Sequence, residues 1–350
     1  MDCQCIVRFG GELEPDRRPD LDISGGEVLI RVTACGVCHS DLHMRAGGFD
    51  LGRGEWLSLA ERGRTLPLVP GHEVAGEVIA LGPEATGVSV GDSVVVYPWQ
   101  GCGHCARCAA GNEHVCDAPQ FLGVQIDGGY ATQVKVRDAR YLVPINGLDP
   151  VQIAPLACSG LTAYSAILKL GERIYDEAPV VIGAGGLGLM AIEILKSLKA
   201  RAPIVVDIDP SKREAALKAG ASAAIDGAAA DAVAQVQQSA GKAPEAVLDL
   251  VGAEATTRLG FNVLGKTGVL VIVGLYGGAA PWQLPFIPMK AATIRGSYVG
   301  SLAEFHELMA LVRKGALGAI PTHRHGLAEA NDVLHALETG QVIGRAVLTP

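Results

Sequence analysis

The chain has 350 residues, 49% of them apolar and 19% charged, with 45 glycines and a formal net charge of −8. That length suits two domains with cores of their own, and that balance argues for a globular enzyme against a disordered or coiled-coil protein. The negative charge argues against non-specific binding to a phosphate backbone, which needs a basic face.

The opening MDCQCIVRFG has neither a basic n-region nor a long apolar h-region, so no signal peptide is expected. No apolar run reaches the roughly 18 residues that span a bilayer, so no membrane partner is expected and the cytoplasm is the expected location. The nine cysteines should stay reduced there, and a cluster of them reads as metal-binding or catalytic. Through about residue 155 the short runs EVLIRV, EVAGEVIAL, DSVVVYPW and GYATQVKV, set between Gly and Pro, predict a mainly β domain. Helical spacing begins with SGLTAYSAILKL, and strands are expected at 180–183, 204–207, 223–226, 246–250, 269–273 and 293–299. The helical stretches between them, such as LGLMAIEILKSLK and PSKREAALKAG, imply a parallel sheet covered on both faces. Residues 228–241 read as a surface helix and FHELMALVRKG as another, with strands in the tail that ends GRAVLTP. No internal repeat is evident.

Two patterns carry chemistry. GCGHCARCAAGNEHVC places Cys102, Cys105, Cys108 and Cys116 within fifteen positions. Four thiolates at such spacing can wrap one ion tetrahedrally and leave no vacancy for substrate. Bacterial ferredoxins use a compact run too, but with three residues before a fourth Cys that precedes Pro. Here seven residues intervene and Asp117 follows, so a structural zinc lobe over 101–117 is expected, with His104 and His114 as decoration. The second pattern, GAGGLG, sets Gly183, Gly185 and Gly188 in G-x-G-x-x-G order between a strand and a helix, with Gly186 and Leu187 inside the turn. Such glycines let the backbone approach a pyrophosphate, which then faces the unpaired N–H groups of the helix. Asp207 stands nineteen residues after Gly188, at the end of the second strand. A carboxylate there accepts bonds from an adenosine ribose and repels a 2′-phosphate, favouring NAD over NADP.

Further chemistry-bearing residues are dispersed: GVCHSDLH, PGHEVAGEV and PLACSGLTAY. Together with the lobe, GAGGLG, VVDID and GRAVL, they occur in the order found in the zinc-dependent medium-chain alcohol dehydrogenases, which this chain resembles over essentially its whole length. YPWQGCGHC, DGGYA and PLACSGLTAYSA look most like a bacterial branch with 6-hydroxyhexanoate dehydrogenase-like members. The resemblance implies a GroES-like catalytic domain over 1–157, a doubly wound Rossmann domain over 158–297, and a return to the catalytic domain over 298–350. It implies two zinc ions, NAD, and an alcohol or aldehyde substrate. Cys38, His72 and Cys158 would be the Cys₂His set that keeps a fourth position open for substrate. Zinc there would act electrostatically on a bound alcohol, and the nicotinamide would take the hydride. Ser40 and His43 would form the proton relay, with Asp41 bonded to a ligand histidine and Glu73 behind the metal. His39 and Arg345 would meet the pyrophosphate, Thr162 the nicotinamide, Lys212 the adenosine ribose, and Trp99 would line the substrate pocket. Cys35 reads as packing.

Between Cys38 and His72 the chain carries GGFDLGRGEWLSLAERGRTLP, an insertion longer than in the commoner bacterial relatives and expected near the pocket mouth. Its Arg53, Arg62 and Arg64 suggest a substrate with a distal acid, such as an ω-hydroxyacid; a solvated loop of mixed charge is the alternative. A polyol dehydrogenase and a non-catalytic NAD- or zinc-binding protein are the competing functions. Polyol relatives often place Glu where Cys158 stands, and the Ser40 and His43 pair argues for catalysis. LPFIPMKAATIRGSYVGS offers a subunit-edge strand for a homo-oligomer, a dimer or tetramer.

Overall fold

The computed structural model describes residues 1–280 and 282–350. The run VLIRVTACG is almost continuously buried because Val28–Gly36 has three partner strands. Glu73–Leu81 lies antiparallel along its whole length, Gln133–Val136 pairs with Val28–Arg31, and Arg345–Thr349 reaches Cys35 and Gly36. Two irregularities, at Leu29/Ile30 and Val32/Ala34, bend this central strand. Ser93–Val96, Leu142–Pro144 and the edge strand Thr322–Gly326 extend the sheet. The register matters for function, since Gly36 is paired with Glu73. Cys38 follows one strand end and His72 precedes the other, so pairing brings them together. A Cβ at position 36 would meet Glu73 Oε2 at 1.9 Å, which is why glycine stands there.

The second sheet has six parallel strands in spatial order Ala223–Asp226, Ile204–Asp207, Val180–Ile182, Ala246–Asp249, Val269–Ile272 and Thr293–Gly296. That is the doubly wound 3-2-1-4-5-6 arrangement, which opens a crevice beyond the strand ends where the order reverses. Short apolar runs with no exposed face, such as VVI and AVLD, suit a sheet with helices on both sides. Local signals set the helix limits: Asp209 caps Pro210–Ala219 through Ser211 and Lys212 N–H, and Gly220 ends it at φ 117°. One apolar core runs from Val28 and Tyr97 through Leu161 and Leu189 to Val271, joining the two sheets; a second covers the other face of the parallel sheet.

The six expected strands are all present, the last ending at Gly296 rather than 299. The chain leaves the sheet there, and Tyr97 Oη donates to Gly300 O at 2.8 Å. Expected helices appear as Ser159–Leu168, Gly186–Ser197, Ala232–Ala240 and Leu302–Arg313. Two hairpins lay outside the expectations: Asp2–Cys5 with Glu14–Arg17, and Gly48–Gly52 with Glu55–Ser58. Among the described residues, no single helix is long and apolar enough to cross a membrane.

Candidate metal centres and cofactor cleft

Cys38, His72, Glu73 and Cys158 converge, with one ligand atom from each within 4.8 Å of the others. The Cys38 and Cys158 sulfurs are 4.0 Å apart. His72 is fully buried, yet neither ring nitrogen has a hydrogen-bond partner. Burying an unpaired polar group is costly, so this imidazole fits a metal ion. Its Nδ1 lies 3.4 Å from Asp41 Oδ1, at ion-pair distance, which leaves Nε2 for the ion. Asp41 also accepts from Cys38 N at 2.9 Å, Gly71 N at 3.2 Å and Tyr130 Oη at 3.1 Å. One buried carboxylate therefore caps the helix His39–Ala46 and fixes two ligand segments. The adjacent Cys158 thiol, with help from the nearby His72 imidazole and against burial, holds the Cys38 thiol well below its ordinary range.

Glu73 is occupied otherwise. Its Oε2 pairs with buried Arg345 and its Oε1 accepts from Ser159 N at 3.3 Å. Burial pushes its carboxyl up to about 7, against the opposing pull of Arg345. Arg345, expected at the pyrophosphate, turns one amino group to Glu73. Its Cδ still lies 2.6 Å from where a Cβ on Gly186 would stand, and its Nε has no partner. It thus links the ligand cluster to the glycine turn.

Ser40 Oγ is 3.8 Å from Cys38 Sγ. His43 lies one helical turn beyond His39 and packs against Phe49, the ring centroids 4.6 Å apart and the planes tilted by 30°. Burial lowers both histidines below their ordinary range, and His39 adds to the effect at His43. Trp99 is buried, 5.3 Å from the His72 ring, with Phe121 and Tyr298 against it; its Nε1 donates to Ala157 O. The indole is thus both core and wall of the cluster. Cys35 is fully buried and stands apart from the ligands.

In the lobe, sulfur separations are 3.5 Å for Cys105–Cys108, 3.8 Å for Cys105–Cys116 and 3.9 Å for Cys102–Cys108. Backbone N–H groups of Cys102, Cys105 and Ala118 donate to sulfur, as they would to thiolates. The Cys108 N–H contributes most to lowering Cys105 to about 6. His104 is exposed and bonds Cys102 O, outside the sulfur set, as is half-buried His114.

Gly183 adopts φ 97°, and a Cβ on Gly188 would meet Gly183 O at 2.1 Å. Gly185 caps the helix Gly186–Ser197, whose first residues are Gly186, Leu187 and Gly188. Asp207 accepts from Ala184 N at 2.7 Å and Asp209 N at 2.9 Å, tying the second strand to this turn. Thr162, one turn after Cys158, has a buried hydroxyl with no partner, so it fits a contact to a bound cofactor. Lys212 sits at the start of the next helix. Arg213, not foreseen, donates to Asp207 O at 2.9 Å. Tyr130, within the DGGYA segment and bonded to Asp41, was not foreseen either.

The insertion forms the hairpin Gly48–Ser58, and Gly278 N in the parallel-sheet domain donates to Asp50 O at 3.2 Å. It thus packs against Gly277 and Gly278, beyond the strand Val269–Ile272. Arg53 and Arg62 are exposed. Arg64 is half-buried, its Nε has no partner, and burial alone lowers its pKa.

Residues 24–147 match the family model of the alcohol dehydrogenase GroES-like domain, and residues 186–314 match that of zinc-binding dehydrogenases. The chain is 39% identical to an NAD-dependent alcohol dehydrogenase of Sulfurisphaera tokodaii, over 99% of both chains. It is 31% identical to a D-arabinose 1-dehydrogenase (NADP⁺) of Saccharolobus solfataricus, over 96% of this chain and 95% of that one. The crystal structure of the alcohol dehydrogenase from Aeropyrum pernix superposes with a TM-score of 0.91 at 32% identity, covering 100% of both chains.

Proposed function

Because the chain belongs to the zinc-dependent alcohol dehydrogenase family, we propose that it oxidises a primary alcohol reversibly with NAD, at the cluster of Cys38, His72 and Cys158. The convergence of these three ligand atoms within 4.8 Å, beside a helix bearing Ser40 and His43, carries the reading. Zinc held there supplies a Lewis acid that makes the alcohol proton labile near neutral pH, and NAD in the crevice is the hydride acceptor. Asp41 orients His72 and keeps Nε2 directed at the ion. Ser40 takes the alcohol proton and His43 passes it toward solvent, a transfer that needs the neutral imidazole its burial favours. Trp99 closes one wall around the carbon chain. Glu73 and Arg345 join the ligand cluster to the glycine turn, where His39, Gly183, Gly185, Gly186, Leu187 and Gly188 meet the pyrophosphate. Thr162 bonds the nicotinamide end, and Asp207 with Lys212 the adenosine ribose. The lobe of Cys102, Cys105, Cys108 and Cys116 holds a second, structural zinc.

The substrate carries a distal acid, as in an ω-hydroxyacid. Among the three insertion arginines, Arg64 supports this best, because it is half-buried without an anion and a carboxylate would complete it by a two-bond fork. Exposed Leu275, Tyr276, Leu284, Phe286 and Met289 beside the edge strand Thr293–Gly296 support a homo-oligomer, a dimer or tetramer, through that edge. Use of reduced thiols as ligands supports the cytoplasm.

The test is a kcat/KM comparison of 6-hydroxyhexanoate, 1-hexanol and D-arabinose with NAD and NADP. The hydroxyacid with NAD should lead, and Arg64→Ala should cost about 1–2 kcal/mol on the hydroxyacid alone. A preference for hexanol, or equal losses on both alcohols, removes the acid-binding role. Asp207→Ser should narrow the NAD preference by removing the charge that repels a 2′-phosphate. A wild type equally efficient with NADP removes the role of Asp207.

A further inference from the structure

The N-terminal hairpin gathers a sulfur-rich cluster that neither the catalytic nor the lobe assignment uses. Cys3 and Cys5 are two apart on one strand, so their side chains share a face, and Asp16 stands opposite Cys3 on the partner strand. The two sulfurs are 3.5 Å apart, and Asp16 Oδ2 lies 3.8 Å from Cys5 Sγ. All three ligand atoms lie within 4.8 Å of one another. We propose that Cys3, Cys5 and Asp16 form a third metal site, for a divalent thiophilic cation of the zinc or cadmium type.

Geometry is the first support. Metal–sulfur bonds of about 2.3 Å at tetrahedral angles place two sulfurs roughly 3.8 Å apart. The lobe pairs span 3.5–3.9 Å, and Cys3–Cys5 falls within that span. A disulfide fits less well. Residues two apart on a strand have Cα atoms about 6.6–6.8 Å apart, at the far limit for a bridge.

Charge is the second support. Arg18 bonds Asp16 at 2.9 Å and Asp127 at 2.7 Å, so two carboxylates share one guanidinium. Entry of one divalent ion, with release of the two thiol protons to solvent, leaves the charge of this group unchanged. Arg18 also donates to Cys5 Sγ at 3.2 Å, an outer partner that stabilises a thiolate ligand. Access is through Asp16, whose side chain is 44% exposed, while both sulfurs are buried. The ion would act as a local staple between the two strands of the hairpin, outside the ligand cluster of Cys38, His72 and Cys158.

The full chain is equilibrated with buffered zinc, and metal per chain is measured for the wild type, Cys3→Ser/Cys5→Ser and Asp16→Asn. The double variant should hold one equivalent fewer while oxidising alcohol at the wild-type rate, and Asp16→Asn should weaken that equivalent by at least about tenfold. Titration of the wild type with cadmium should give a larger thiolate charge-transfer band than titration of the double variant. Equal zinc content in wild type and double variant overturns the proposal. If the double variant does not fold, an unchanged affinity in Asp16→Asn, which keeps both thiols, overturns it. The readout is a difference, so it does not depend on how the other two ligand sets are filled.

Discussion

The lobe and the catalytic cluster both collect thiols, and they are built on opposite plans. The lobe draws four sulfurs from Cys102 to Cys116, around a helix of four residues and one turn of 3-10 helix, with Cys102 and Cys105 partly exposed. So short a segment has no apolar core of its own, and a bound ion would supply what burial does not. The cluster takes Cys38, His72 and Cys158 from three distant segments, and the fold sets their positions through the Gly36–Glu73 register and the bonds of Asp41. Its surroundings are buried without help from the ion. On the proposed reading, a metal ion would stabilise the first site, whereas the second is a formed scaffold that would present ligands to one.

The largest expected effect separates the two. Cys158→Ala should lower kcat/KM by at least about 10³, with little change in the melting temperature, because the Lewis acid contributes several kcal/mol to the reaction. Cys105→Ala should do the reverse in emphasis, lowering the melting temperature by several degrees and loosening residues 101–117 to proteolysis. If both variants lose stability equally, the two sites do not differ in plan.

His43 gives the next effect. His43→Ala should cost about 10² in kcat/KM and leave the lobe's protease resistance unchanged. Burial lowers the pKa of His39 and His43 in the folded state. Below pH about 6.5 the unfolded chain therefore takes up protons first, and stability falls as pH drops from there through the folded pKa values. The acid limb of kcat/KM should likewise lie below about 6.5 in the wild type and vanish in His43→Ala. A limb that persists in the variant assigns the titration elsewhere. Asp41→Asn should follow, weakening zinc at the cluster by about 10- to 100-fold while the lobe keeps its ion.

This contrast also explains what was legible in the sequence. That the four lobe sulfurs meet could be read from spacing alone, since they lie within one short segment. The Rossmann strands were legible for a similar reason: short apolar runs between helical stretches fix their limits to within a few residues. Cys38, His72 and Cys158 could be nominated only by likeness to a family, because their meeting depends on strand register. Tyr130 Oη on Asp41 and Arg345 on Glu73 were missed, as both are partnerships between distant residues. The hairpin Gly48–Ser58 escaped notice because its FDLGRGEW turn lacks the alternation of a half-buried strand.

The smallest expected effects lie on the rim of the lobe, and they ask whether its stability comes from metal or from ion pairs. Arg107 meets Asp117 at 3.2 Å, with both side chains more than half exposed. Such pairs contribute at most about 1 kcal/mol, so Arg107→Ala should scarcely move the melting temperature. Arg140 differs: it forms an ion pair with Glu113 at 3.1 Å, and that carboxylate is only 8% exposed. Arg140 also lies over the Tyr141 ring at 4.7 Å. Removing it strands a nearly buried charge, yet Arg140 is itself 45% exposed, and water can replace part of the contact. Arg140→Ala should therefore cost more than Arg107→Ala, roughly 1–3 kcal/mol, and less than Cys105→Ala. Thermal melts of the three variants at matched free zinc rank them directly. If Arg140→Ala equals or exceeds Cys105→Ala, the lobe is held by its ionic anchor to the sheet rather than by its four sulfurs.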